Sequence, residues 1–100
     1  MVFGNKLRDL RESKGLFLRQ VAAALEVDTA TMSKIERGDR QAKKEQLQTL
    51  ANLLDIDFKE LYTLWLANKV CEIVIGEDNA IAALKVAENE IIYGIKNKAT

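Results

Sequence analysis

Between Thr29 and Lys43 the chain concentrates groups that donate hydrogen bonds or carry positive charge: Thr29, Ser33, Lys34, Arg37, Arg40, Gln41 and Lys43. Such a set suits recognition. Bond-making needs an activated nucleophile or a poised acid–base pair, and the sequence has no histidine and one cysteine, Cys71. That excludes zinc held by His or paired Cys, and any Ser–His or Cys–His apparatus. The carboxylate pairs Asp55–Asp57 and Glu88–Glu90 fall at a loop and on a helix surface, where solvated charge is the better reading. Neither a cofactor nor an enzymatic activity is expected.

Lys+Arg and Asp+Glu are equal at 15 each, so net charge argues mildly against a polyanionic partner. The distribution points the other way. Residues 1–44 hold ten basic and six acidic side chains, whereas residues 45–100 hold five and nine. Phosphate binding needs local positive potential rather than a basic protein. Random scatter of surface charge can give the same asymmetry, so the split supports without deciding. A lone cysteine fits a reducing compartment. Apolar positions near the start are interrupted by Asn5, Lys6, Arg8 and Asp9, and no run has membrane-spanning length. A cytoplasmic protein with no membrane partner is expected.

These groups have to be positioned by helices. Phe3, Leu7 and Leu10 follow helical spacing and predict a first helix over 4–14, stopped by Gly15. Val21, Ala22 and Leu25 mark a second over 18–25. Asp28 is a candidate N-cap for a third over 29–36, with Met32 and Ile35 inward and Gly38 ending it. Leu47, Leu50, Ala51 and Leu54 define a fourth over 43–54. Asp57 and Glu60 have capping spacing for a fifth starting near 58. That helix is apolar on more than one face, which calls for burial on two sides. Asp78 is placed to cap a sixth over 79–95. The β-branched run at 71–75 suits strand or helix, and helix is favoured because no partner strand is visible.

The helices over 18–25 and 29–36 are separated by three residues. This is helix-turn-helix spacing, in which the second helix enters the major groove of DNA. Close helix pairs also occur in bundles that bind nothing, so spacing alone leaves both readings open. Periodicity puts Thr29, Ala30, Ser33, Lys34 and Arg37 on the outer face of 29–36.

The stretch Thr31-Met32-Ser33-Lys34-Ile35-Glu36-Arg37-Gly38, set at its distance after Val21-Ala22, resembles the Cro/cI (XRE) helix-turn-helix family. Phe3-Gly4, Leu7-Arg8, Leu10-Arg11, Lys14-Gly15-Leu16, Leu47, Leu50-Ala51 and Leu54 extend the resemblance over about residues 3–62. It implies an all-α, five-helix lambda-repressor-like bundle over 1–62 that recognises operator DNA through helix 29–36. By the family pattern Thr29, Ala30 and Lys34 are the candidates for base edges. Lys34 can donate to guanine O6/N7, and Thr29 and Ala30 offer methyl contacts to thymine. Ser33, Arg37, Arg40, Gln41 and Lys43 are candidates for phosphate contacts; ordinary solvated side chains are the bland alternative. The resemblance also implies an Arg11–Glu36 ion pair that orients the recognition helix and adds little raw stability. Phe17 and Leu18 depart from the family's small hydroxyl and glutamine, so Arg19 is the candidate backbone contact there. Ala42 and Lys43 replace a frequent proline-serine pair, which leaves the fourth helix a weaker cap.

Residues 63–100 are too apolar for a solvated tail. They are expected to form a helical extension for dimerisation, with Trp65, Ile73, Val74, Ile81, Leu84 and Ile91 at the interface. Packing against the chain's own bundle is the alternative, and Trp65 fits a core equally well. Cys71 fits a small apolar filler. The combined expectation is a homodimeric transcriptional regulator, a repressor or activator on a palindromic operator. The stretch from Leu18 to Gly38 resembles controller proteins of restriction–modification or DNA methyltransferase operons. An antitoxin that represses its own operon, and an interaction module without DNA binding, remain open, with RNA polymerase or a toxin as further partners.

Overall fold

The computed structural model describes the backbone of residues 2–99 and the side chains of residues 2–95. Six α-helices follow one another, with no strand among the described residues: α1 Val2–Ser13, α2 Leu18–Ala24, α3 Thr29–Arg37, α4 Leu47–Leu54, α5 Phe58–Val74 and α6 Ala80–Ala99. The 71–75 run is therefore helical up to Val74. The expected fourth helix is divided, because Lys44–Gln46 form a turn of 3₁₀-helix before α4. The chain separates into two compact units, one ending at Lys69 and the other starting at Val70. The first unit extends past residue 62, since Trp65 and Asn68 are buried.

The first unit is built on one core. Phe3 and Leu7 of α1, Val21 and Ala22 of α2, Met32 and Ile35 of α3, and Leu47, Leu50, Ala51 and Leu54 of α4 meet in it, closed by Leu61 and Trp65 of α5. Helical spacing brings these positions to one face of each element, and their burial from water is the main stabilising term. Helix starts without a capping side chain are completed from within. Gln20 Oε1 accepts the Phe17 N–H at 2.7 Å, and Gln46 Oε1 accepts that of Lys43 at 2.8 Å. Asp57 accepts the Glu60 N–H at 3.2 Å at the head of α5. α6 begins at Ala80, which makes Asn79, rather than Asp78, its flanking residue.

Gly4 lies inside a helix, where glycine is ordinarily a defect. Here it permits a close approach: a Cβ at this position would fall on the Glu36 carbonyl oxygen and 2.8 Å from that of Ile35. Helix propensity alone favours alanine by about 1 kcal/mol. Two backbone carbonyls cannot turn aside without moving α3, however, and overpacking of this kind costs about 1–3 kcal/mol. Gly4→Ala is thus expected to lower the thermal midpoint; a raised midpoint would contradict this packing.

The interface role expected for Trp65 does not hold. Trp65 is a core residue of the first unit, 7% exposed, and its Nε1–H donates to the Ala42 carbonyl at 2.8 Å. A ring already enclosed and hydrogen-bonded within its own chain has no surface to offer a partner. It ties the loop after α3 to α5 instead.

The second unit is different in kind. None of the described side chains from Val70 to Ile95 is buried. Ile73, Ile81 and Ile91 are 78%, 66% and 63% exposed, whereas Val74 and Leu84 are half-buried. α5 is covered on the side of Leu61, Trp65 and Asn68 only. Among the described residues no helix is long and apolar enough to cross a membrane.

Candidate nucleic-acid interface

α3 is held at both ends by local chemistry. Asp28 is its N-cap, with Oδ1 accepting the Thr31 N–H at 2.7 Å. The side-chain and backbone hydrogen bonds from Thr31 hold the Asp28 carboxyl below its usual range, aided by Lys34 and Arg40. The cap is consequently present at neutral pH and is lost only as pH falls through that lowered value. At the other end Gly38 adopts a left-handed backbone, φ 82°, that non-glycine residues reach only with strain. Its N–H bonds to the Ile35 carbonyl, and the Asp39 N–H reaches that of Lys34 at 2.9 Å. In the preceding turn Glu26 takes a left-handed conformation, φ 59°, where glycine would be the unstrained choice.

Between these ends the helix has two faces. Met32, Ile35 and Glu36 are buried. Thr29, Ala30, Lys34 and Arg37 are exposed and Ser33 is half-buried, in agreement with the periodicity. Lys34 makes no salt bridge among the described residues. Arg37 pairs at 3.5 Å with Asp39, both largely exposed. Arg40, Gln41 and Lys43 are exposed along the loop that Trp65 anchors through Ala42. Arg19 is exposed on α2, its guanidinium 4.5 Å above the Phe17 ring.

Glu36 is an acid on the buried side of α3, and Arg11 of α1 meets it in a two-point contact. Nε donates to Oε2 at 2.7 Å and Nη2 to Oε1 at 3.1 Å. The remaining Nη1 donates to the Leu16 carbonyl at 3.0 Å. The hydrogen bond to Glu36 raises the Arg11 pKa further, against the opposing effect of burial. A planar guanidinium fixed at three points sets both the distance and the rotation of α3 against α1.

Two residues of this region were not singled out by sequence reasoning. Asn5 and Arg8 of α1 line a cavity beside α3. Arg8 stands four residues before Glu12, and the pair forms at 2.7 Å, which reads in a sequence as an ordinary solvated couple. Nothing in the local pattern marks either as a neighbour of α3.

Two short helices at this spacing, the second with a capped, polar outer face, match a known domain: the family model described as a helix-turn-helix domain covers residues 2–62. The chain belongs to the helix-turn-helix domain family. Among curated proteins it is similar to the HTH-type transcriptional regulator DdrOP3 of Deinococcus deserti, 36% identical over 56 residues, 56% of this chain and 43% of that protein. It is also similar to the uncharacterized HTH-type transcriptional regulator RghRB of Bacillus subtilis, 37% identical over 60 residues, 59% of this chain and 43% of that protein. The helix-turn-helix chain thus spans less than half the length of these relatives. No solved structure matches it significantly.

Proposed function

We propose that this helix-turn-helix protein is a sequence-specific DNA-binding transcriptional regulator that places α3 in the major groove of an operator. The observation that carries the reading is the outer face of α3: Thr29, Ala30, Lys34 and Arg37 stand exposed on a helix whose opposite face is locked into the core. A rigid rod with free donors on one side is what base-edge readout requires. Thr29, Ala30 and Lys34 contact bases. Arg19, Ser33, Arg37, Arg40, Gln41 and Lys43 position the phosphate backbone, and the Arg11–Glu36 pair orients the helix.

The protein acts as a homodimer on a palindrome. Support comes from the second unit, whose isoleucines at 73, 81 and 91 lie open in the single chain. Burying an isoleucine side chain fully is worth about 1.5–3 kcal/mol, and a second copy supplies the missing cover. A two-fold pair sets half-sites about one helical turn, roughly 34 Å, apart. Within this reading the chain is a controller of a restriction–modification or DNA methyltransferase operon. A methyltransferase or endonuclease gene beside its own fits that role, whereas a neighbouring toxin gene would make it an antitoxin.

Lys34→Ala tests the base-reading role. It is expected to cost about 1–3 kcal/mol on the operator and to relax sequence choice at one position per half-site. An operator profile unchanged by the substitution would remove Lys34 from the reading surface.

A further inference from the structure

A cavity of about 360 Å³ opens beside the recognition helix, between Asn5 and Arg8 of α1, Leu18 of α2, and Ser33 and Arg37 of α3. Its remaining wall is the Arg11–Glu36 pair, in which each charge is spent on the other. The other cations of the lining are Arg8 and Arg37, each paired with a carboxylate outside it, and Asn5 and Ser33 add an amide and a hydroxyl. The opposing carboxylates, Glu12 on Arg8 and Asp39 on Arg37, stand outside the lining. They hold their partners through exposed contacts, with Arg8 and Glu12 64% and 54% exposed and Arg37 and Asp39 62% and 63%. Exposed pairs of this kind are weak and readily exchanged. Leu18 contributes an apolar side chain, so the polar side chains facing α3 across the cavity are those of α1.

We propose that this cavity receives a backbone phosphate of the bound duplex, with Arg8 as its principal cation and Asn5 as a donor beside it. The inference rests on the reading of α3 as the DNA-reading helix. Ser33 and Arg37 belong to the outward face of α3 and line the cavity together with buried Glu36 and residues of α1, so the cavity borders that face on the α1 side. A sugar–phosphate strand rises along each flank of a helix seated in the major groove. The cavity presents two guanidinium groups and two neutral donors to such a strand, a set suited to a phosphate and indifferent to base sequence. Arg8 is therefore a positioning residue, and α1 belongs to the DNA-contacting surface together with α2 and α3.

The test is the salt dependence of binding by the full chain to a random-sequence duplex, followed by fluorescence anisotropy, for the wild type, Arg8→Gln and Arg8→Lys. Each phosphate contact contributes about 0.9 to the slope of log K against log salt. For each protomer engaged on the duplex, Arg8→Gln is expected to reduce the slope by about 0.9 and the affinity about five- to tenfold near 0.1 M salt. The loss is the same on random and operator DNA, and Arg8→Lys restores the slope. An unchanged slope in Arg8→Gln, while Lys34→Ala still relaxes sequence choice, overturns the cavity assignment and leaves the regulator reading standing. A wild-type chain with no duplex affinity overturns both. Inorganic phosphate at matched ionic strength separates the sources. If it shifts the Arg8 and Asn5 resonances while the duplex slope ignores Arg8, the cavity takes a free anion and the assignment to DNA fails.

Discussion

Replacing Arg11 with methionine lowers the unfolding free energy by about 2–4 kcal/mol, measured as a shifted urea midpoint at constant slope. The size follows from what is left behind. Glu36 is 7% exposed, and both of its carboxylate oxygens are satisfied by one guanidinium. Without Arg11 that carboxylate must stay buried and unpaired, take up a proton, or pull the end of α3 toward water. The expectation that this pair adds little raw stability and the large cost of breaking it are compatible. A paired, buried couple can roughly match an apolar couple of the same shape, whereas a single orphaned charge cannot. The double variant Arg11→Met, Glu36→Leu is accordingly expected to recover most of the loss, and the coupling between the two sites measures the interaction. Glu36→Leu alone costs less, because Arg11 keeps its bond to the Leu16 carbonyl and can reach solvent. A loss under about 0.5 kcal/mol for Arg11→Met, the scale of exposed pairs, would show that the contact does not brace the helix.

Truncation after Gly76 is expected to give a monomeric chain whose operator affinity falls by about 10²–10⁴-fold, the scale of a lost second attachment. Affinity per protomer for random duplex changes far less. The first unit has its own core, from Phe3 to Trp65. The removed α6 carries Ile81, Ile91, Ile92 and Ile95, exposed by 66%, 63%, 46% and 64% in the single chain. Light scattering reads the mass and anisotropy reads the two affinities. A soluble truncated chain that stays dimeric would place the interface before residue 77, outside α6, and an unchanged operator affinity would remove the need for two copies.

The elements were legible wherever a period and a stop coincided. Leu7 and Leu10 before Gly15, Asp28 before Met32 and Ile35, and Asp57 with Glu60 each carry a local cause, and the helices lie within a few residues of where those signals put them. Contacts that depend on distant parts of the chain were not legible. The apolar density of α5 does not reveal which face is covered. In the fold it is the face of Leu61, Trp65 and Asn68, with the Trp65 N–H bonded to the distant Ala42 carbonyl. Gly4 reads as a weak point of α1 until the Glu36 carbonyl is seen to pass over it. Asn5 and Arg8 look like solvated surface because their neighbour is α3, reached only through the packing of Phe3 and Leu7. The outer face of α3 was readable because exposure on a helix follows from its period alone.

The central claim is most directly tested by selecting bound duplexes from a pool of random DNA with the intact chain. The account predicts enrichment of a two-fold symmetric site with half-sites about one turn apart, and loss of preference at one position in each half when Lys34 is alanine. Recovery of no preferred site, or of one indifferent to Thr29, Ala30 and Lys34 alike, would contradict it.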